Sequence, residues 1–136
     1  MIYNKQNEKV KRLFLEHLQH AKGMAQQTIN SYVNSIDKFE EFTGFQCFKK
    51  FSKQQAIDFK LDLSHTKNKR SQQDISKSYL QKTTSNLRVF FEFLSNQPGY
   101  KKHVKYNDTQ YLYISHNQRS QEKSTSYQES YDIEDI

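Results

Sequence analysis

The sequence predicts an all-α fold, a four-helix bundle followed by a polar C-terminal linker, and two features carry that prediction. Apolar residues recur at three- and four-residue spacing along four successive stretches, the period of one buried helical face. Glycine and proline are scarce, 3 and 1 among 136 residues, so those stretches run without interior breaks. The length fits one compact domain with a tail.

The first helix is expected over about residues 8–21, where Val10, Leu13, Phe14 and Leu18 share a face and Gly23 is a natural stop. The second spans about residues 25–43, with Ile29, Tyr32, Val33, Ile36, Phe39 and Phe42 in one stripe and Gly44 behind it. The third opens on "SKQQ", where Ser52 can cap while Gln55 reaches back, and it buries Ala56, Phe59 and Leu63. A polar, basic loop, "HTKNKRSQQD", follows. The fourth helix is expected over about residues 76–96 and has two characters. Its second half, with Leu87, Phe90, Phe91 and Leu94, calls for a core, whereas its first half holds hydroxyls, an amide and two lysines with almost nothing to bury.

Beyond Gly99, "NDTQYLYIS" is expected to form a short helix with Tyr111, Leu112 and Ile114 packing back. Residues 115–130 lack periodicity and read as a linker. In "YDIEDI", Ile133 and Ile136 have the spacing of a helix just beginning. The expected division is a helical domain over residues 1–106, then a short helix and linker over 107–136 leading to a domain that this chain lacks.

The net charge of +6 hides an asymmetry. Residues 1–106 carry 19 Lys/Arg against 9 Asp/Glu, and residues 107–136 carry 2 against 6. A basic globular part with an acidic tail points to a polyanionic partner for the first. No apolar run is long enough to span a bilayer, and the polar N-terminus is unlike a signal peptide, so no membrane partner is expected. One cysteine excludes an intramolecular disulfide, and a reducing cytoplasm is the expected location.

The second and fourth helices superimpose in sequence at an offset of 51: Ile29 falls on Leu80, Ile36 on Leu87, Phe39 on Phe90 and Phe42 on Phe93. Together "GMAQQTINSYVNSIDKFEEF" and "DISKSYLQKTTSNLRVFFEFL" resemble the N-terminal core-binding domain of tyrosine recombinases, the phage-integrase family. Thr28, Ile29, Tyr32, Phe39 and Phe42 match the family's second-helix pattern. Leu87, Arg88, Phe90, Phe91, Phe93 and Leu94 match its fourth, and "FSKQQAIDFKLDL" is similar to its third. The resemblance covers about residues 8–100. It departs at Ala25, where a capping Ser is usual, and at Tyr79, where Thr is usual.

The resemblance implies a SAM-like four-helix domain that forms half of a C-shaped clamp on double-stranded DNA, approaching the major groove through its second and fourth helices. The other half would be a catalytic domain supplying the nucleophilic Tyr and its Arg, Lys and His activators, so the chain as given is not expected to be an enzyme. Contact with neighbouring recombinase protomers in a synaptic complex is also implied.

His116 and Arg119 spell His-x-x-Arg, a catalytic motif of that family, with Tyr127 and Tyr131 following. Their linker-like setting could not desolvate or orient a phosphoryl-transfer site, so no catalytic residue is expected. His17 and His20, three apart, have no third ligand at suitable spacing, so neither a metal nor a cofactor is expected. Cys47 reads as a small buried hydrophobe.

The informative pattern is polar. Gln26, Gln27, Asn30, Ser31 and Asn34 lie off the stripe of the second helix, and Lys77, Ser78, Gln81, Lys82 and Ser85 off that of the fourth. Amides and hydroxyls beside lysines suit base edges and phosphate oxygens, and residues 75–91 hold no carboxylate. The basic loop adds Lys67, Lys69 and Arg70, and the family motifs add Thr28 and Arg88. The fourth helix is thus expected to serve a core with one end and a duplex with the other. Two rival readings are a helical protein-interaction module with a basic surface and an RNA-binding domain. The first calls for an exposed apolar strip and the second for an aromatic platform.

Overall fold

Asn4 sets where the chain becomes helical: its side chain accepts the Asn7 N–H at 3.1 Å, and α1 (Lys5–Glu16) begins at the next residue. This is three residues before the predicted start, because the capping asparagine lies ahead of the apolar stripe. A π-helical turn, His17–Ala21, extends α1, and Gly23 turns the chain at φ +63°. Then come α2 (Gln26–Thr43), a 3₁₀ turn (Phe48–Lys50), α3 (Lys53–Ser64), α4 (Lys77–Leu94), α5 (Tyr106–Thr109) and a final 3₁₀ turn (Gln110–Leu112). The computed structural model describes residues 3–65 and 76–114. The cations Lys67, Lys69 and Arg70, the His116–Arg119 motif, Tyr127, Tyr131 and "YDIEDI" lie outside the described residues. Among the described residues every regular element is helical, as expected.

Local chemistry explains the other boundaries. Gly44 closes α2 in the left-handed region at φ +69°, where a side chain is strained. Ser52 caps α3 by accepting the Gln55 N–H at 3.2 Å. The Gln55 side chain does not complete the expected capping box; its amide instead donates to Gln46 Oε1 at 3.2 Å. Ser76 caps α4 through the Tyr79 N–H. That helix ends at Leu94, two residues short of the prediction, in a turn whose Ser95 N–H still reaches Phe91 O.

The core is aromatic. Phe91, fully buried, stacks on Phe51 with centroids 4.0 Å apart and meets Phe39, Phe48 and Phe90 edge-on. Phe14 of α1 closes the cluster against Tyr32 and Phe90. Val104, Leu112 and Ile114 of the last segment are buried with it, but Tyr111, expected to pack back, is exposed. Its ring instead lies beneath Lys53 Nζ, 5.5 Å from the centroid. Leu13 is also exposed, at 49 %, because α1 presents Asn7 rather than a wider apolar stripe to the bundle.

Asn7 is buried because it makes several bonds at once. Its amide donates to Glu40 Oε2 at 3.1 Å and to Gln46 O at 2.9 Å, and its Oδ1 accepts the Phe48 N–H. Glu40, itself 1 % exposed, also accepts from Lys11 at 2.7 Å. Burial disfavours the Lys11 charge, but Glu40 and Glu8 more than offset it and hold the ammonium pKa above its ordinary value. Cys47, expected to be buried, is only half-buried, with Sγ 3.5 Å from Gln6 Oε1.

Candidate nucleic-acid interface

Asn86 decides how α2 and α4 lie against each other. It is nearly buried, and its amide donates to Ser31 Oγ and Ser35 Oγ, both at 3.1 Å. Five residues further along α4, Phe91 meets Phe39, four residues further along α2. Contacting positions therefore advance together, as they do only in parallel helices. The polar N-terminal halves of α2 and α4 consequently emerge at one end of the bundle and the aromatic halves at the other.

At that polar end Gln26, Gln27, Thr28, Asn30 and Asn34 of α2 are exposed, and the Gln26 amide donates to Asn30 Oδ1 at 2.9 Å. Ser31 is half-buried against Asn86. On α4, Ser78 and Lys82 are exposed, while Lys77, Gln81 and Ser85 are half-buried. Ser78, Gln81, Lys82 and Ser85 line one open concavity of about 270 Å³, so four of the sequence-derived candidates share a surface. Not all of this half is exposed: Thr83 and Thr84 are buried, correcting the expectation that it has almost nothing to bury. Thr84 is satisfied by donating to Leu80 O at 3.0 Å. Residues 17–36 lack carboxylates as residues 75–91 do, so the N-terminal halves of both helices carry no negative side chain.

Arg88 stands at the edge of this surface. Its guanidinium lies 5.8 Å from the Tyr113 ring centroid, and Nη1 is 3.4 Å from Glu92 Oε2. Its Nε is buried without a hydrogen-bond partner among the described residues. A smaller cavity, about 70 Å³, is lined by Gln81, Thr84, Ser85, Arg88, Tyr113 and Ile114. Lys60 holds the chain here by donating to Tyr113 O at 3.1 Å, and burial lowers its pKa. The segment leaving the bundle therefore borders the candidate surface.

Ala25 provides no side-chain cap for α2, which leaves the first N–H groups of that helix without one, whereas Ser76 caps α4. His17 packs against Phe93 with centroids 5.2 Å apart, and His20 is exposed. Among the described residues no three His, Cys, Asp or Glu side chains are grouped to hold a metal ion. No described helix is long and apolar enough to cross a membrane.

Residues 12–98 match the family described as phage integrase, N-terminal SAM-like domain. The chain belongs to the phage-integrase N-terminal SAM-like family. The matched span runs from α1 through α4 and includes both polar helix ends. Over 86 residues, 63 % of the chain, this SAM-like domain is 34 % identical to the tyrosine recombinase XerC of Bacillus subtilis (strain 168). The aligned stretch covers 27 % of that recombinase, so the chain spans about a quarter of its length. No solved structure matches. The SAM-like fold and the recombinase resemblance expected from the sequence thus hold.

The residues that sequence reading missed are Ser35, Asn86 and Tyr113. A signal for two of them was present: Ser35 and Asn86 are 51 positions apart, the offset of the internal repeat. Equivalent polar positions in two paired helices face each other.

Proposed function

We propose that this chain is the DNA-contacting N-terminal part of a tyrosine site-specific recombinase or integrase, seating the recombination site for a catalytic domain that follows it. The observation that carries the reading is the parallel packing of α2 and α4, which brings two carboxylate-free polar helix ends onto one surface. Lys77 and Lys82 serve phosphates, with Lys69 and Arg70 of the preceding loop. Gln26, Gln27, Asn30, Asn34 and Gln81 can each offer both a donor and an acceptor to base edges. Thr28, Ser31, Ser78 and Ser85 contribute hydroxyls, and Arg88 reaches a phosphate from the rim.

In this reading residues 1–106 form the DNA-binding domain and 107–136 the short helix and linker to the catalytic domain. Protomers meet in a synaptic assembly in the cytoplasm, and the chain as given forms no phosphotyrosyl intermediate.

The test is salt-dependent binding. Lys77→Ala and Lys82→Ala should melt as the parent does, since exposed or half-exposed lysines contribute little to stability. Each should flatten the dependence of log K on log salt by about one unit. Gln81→Ala should cost roughly 1–3 kcal/mol on the cognate site and little on random DNA. Unchanged affinity and slope for both lysine variants would rule out this surface.

A further inference from the structure

A second cationic surface lies at the opposite end of the bundle, and the recombinase reading does not use it. Three segments meet there: the 3₁₀ turn after α2, with Lys49 and Lys50; the start of α3, with Lys53; and the turn after α4, with Lys101, Lys102 and Lys105. Five of these lysines are exposed, and Lys49 is half-buried. Lys49 Nζ sits 5.4 Å from the Tyr100 ring centroid, which joins the first 3₁₀ turn to the turn after α4, and Lys53 Nζ, three residues beyond Lys50, sits over Tyr111 of the final 3₁₀ turn. Tyr100 further ties the turn to α1 by donating its hydroxyl to Gln6 O at 3.4 Å.

Two features separate this surface from an ordinary solvated face. Residues 42–57 and 93–107 contain no Asp or Glu. Among the described residues none of the six lysines is in an ion pair, while Glu92, just before the turn, is engaged by Arg88 and Gln110. Like charges on neighbouring segments that make no ion pair among the described residues repel one another, and a polyanion relieves that repulsion.

The position also matters. α4 has 18 residues, about 27 Å at ~1.5 Å per residue, with the candidate interface at its N-terminal half and this surface beyond its C-terminus. A duplex seated at one end of the helix leaves the other end open.

We propose that this end of the bundle is a second, phosphate-directed surface that takes a separate DNA duplex, so that one chain can hold two DNA segments. The class of partner rests on the reading of the chain as DNA-binding. The chemistry selects duplex over single strand. Lysine acts as a point charge on phosphate, and a duplex presents one charge per ~1.7 Å of axis against ~3.4 Å for one strand. Stacking on unpaired bases needs open aromatic faces, and a lysine ammonium already lies over one face of the Tyr100 ring and of the exposed Tyr111 ring.

The experiment is a bridging assay with the full chain. One duplex is tethered to beads, and recovery of a second, fluorescent duplex of unrelated sequence is measured as salt is raised. The variants are Lys101→Gln/Lys102→Gln/Lys105→Gln and, separately, Lys77→Gln/Lys82→Gln. The triple variant should bind a single duplex as the parent does but recover the second at least tenfold less. The salt slope of that second event should fall by about three units, ~0.9 per lost phosphate contact.

Equal recovery by the parent and the triple variant overturns the proposal and leaves the α2–α4 reading intact; a dimer bridging through that first face would give this result. A parent that binds one duplex and recovers no second also overturns it. If the triple variant alone loses all binding, the α2–α4 reading fails and the far end is the DNA site. Lysine-dependent capture of single strands or anionic lipid vesicles in preference to duplex overturns the choice of partner.

Discussion

Replacing Asn86 by alanine tests whether one buried amide both stabilises the α2–α4 pair and aims its polar ends. Asn86 donates to Ser31 and Ser35 at 3.1 Å, and each such bond contributes about 0.5–1.5 kcal/mol net. Ser35 keeps its own bond to Ser31 O at 3.1 Å, so no buried donor is stranded and the loss should be about 1–2 kcal/mol. For a domain of this size that is a fall in Tm of about 5–15 °C. Measured well below the melting range, DNA affinity should weaken about three- to tenfold, because the two polar helix ends lose their fixed spacing. Thermal melts followed by circular dichroism and anisotropy titration at one salt concentration read the two effects separately. A melt within a degree of the parent would refute the structural role. A lowered melt with unchanged affinity would show that this contact does not set the geometry of the interface.

Phe91→Ala should cost about 3–5 kcal/mol, since it empties the centre of the aromatic cluster, and alter DNA binding only through unfolding; chemical denaturation measures it. Glu40→Ala should cost about 3 kcal/mol by leaving Lys11 and the Asn7 amide without their buried carboxylate. The Lys11 pKa is raised on folding, so its stabilisation is complete below the ordinary value of 10.5 and is lost as pH rises through the folded value. Above about pH 10.5 the parent should therefore lose stability more steeply than Lys11→Met. Ser52→Ala should lower stability by about 1 kcal/mol through loss of the α3 cap, with DNA affinity unchanged.

The apolar stripes of α2 and α4 were legible because their period is strict and their aromatic residues leave one way to pack. The start of α1, set by the Asn4 cap, and the burial of Asn7 in place of Leu13 were not. A buried asparagine has no signature in a hydropathy pattern; its burial depends on Glu40, Gln46 and Phe48, which are brought to it only by the tertiary fold. The polar residues of the interface were legible as candidates from their place off the stripe. Which of them turn inward was not, because that depends on the crossing of two helices: Ser31 and Ser35 both accept from Asn86 at 3.1 Å, yet Ser35 is buried and Ser31 only half-buried. Tyr113 was invisible for a related reason: its place beside Arg88 is fixed by Lys60, 53 residues away.

The bonds from Asn7 to Glu40, Gln46 and Phe48 span 33 to 41 residues, and this bears on the order of folding. Loops of that length close late compared with the helical turns they join. The bonds that join α2 to α4 span 51 to 55 residues, longer still, so α1 is expected to dock on α2 before α4 completes the bundle. In kinetic terms Asn7→Ala should slow folding and leave the unfolding rate nearly unchanged. The refolding and unfolding arms of a denaturant chevron would show it, and a steeper loss on the unfolding arm alone would place α1 outside the nucleus.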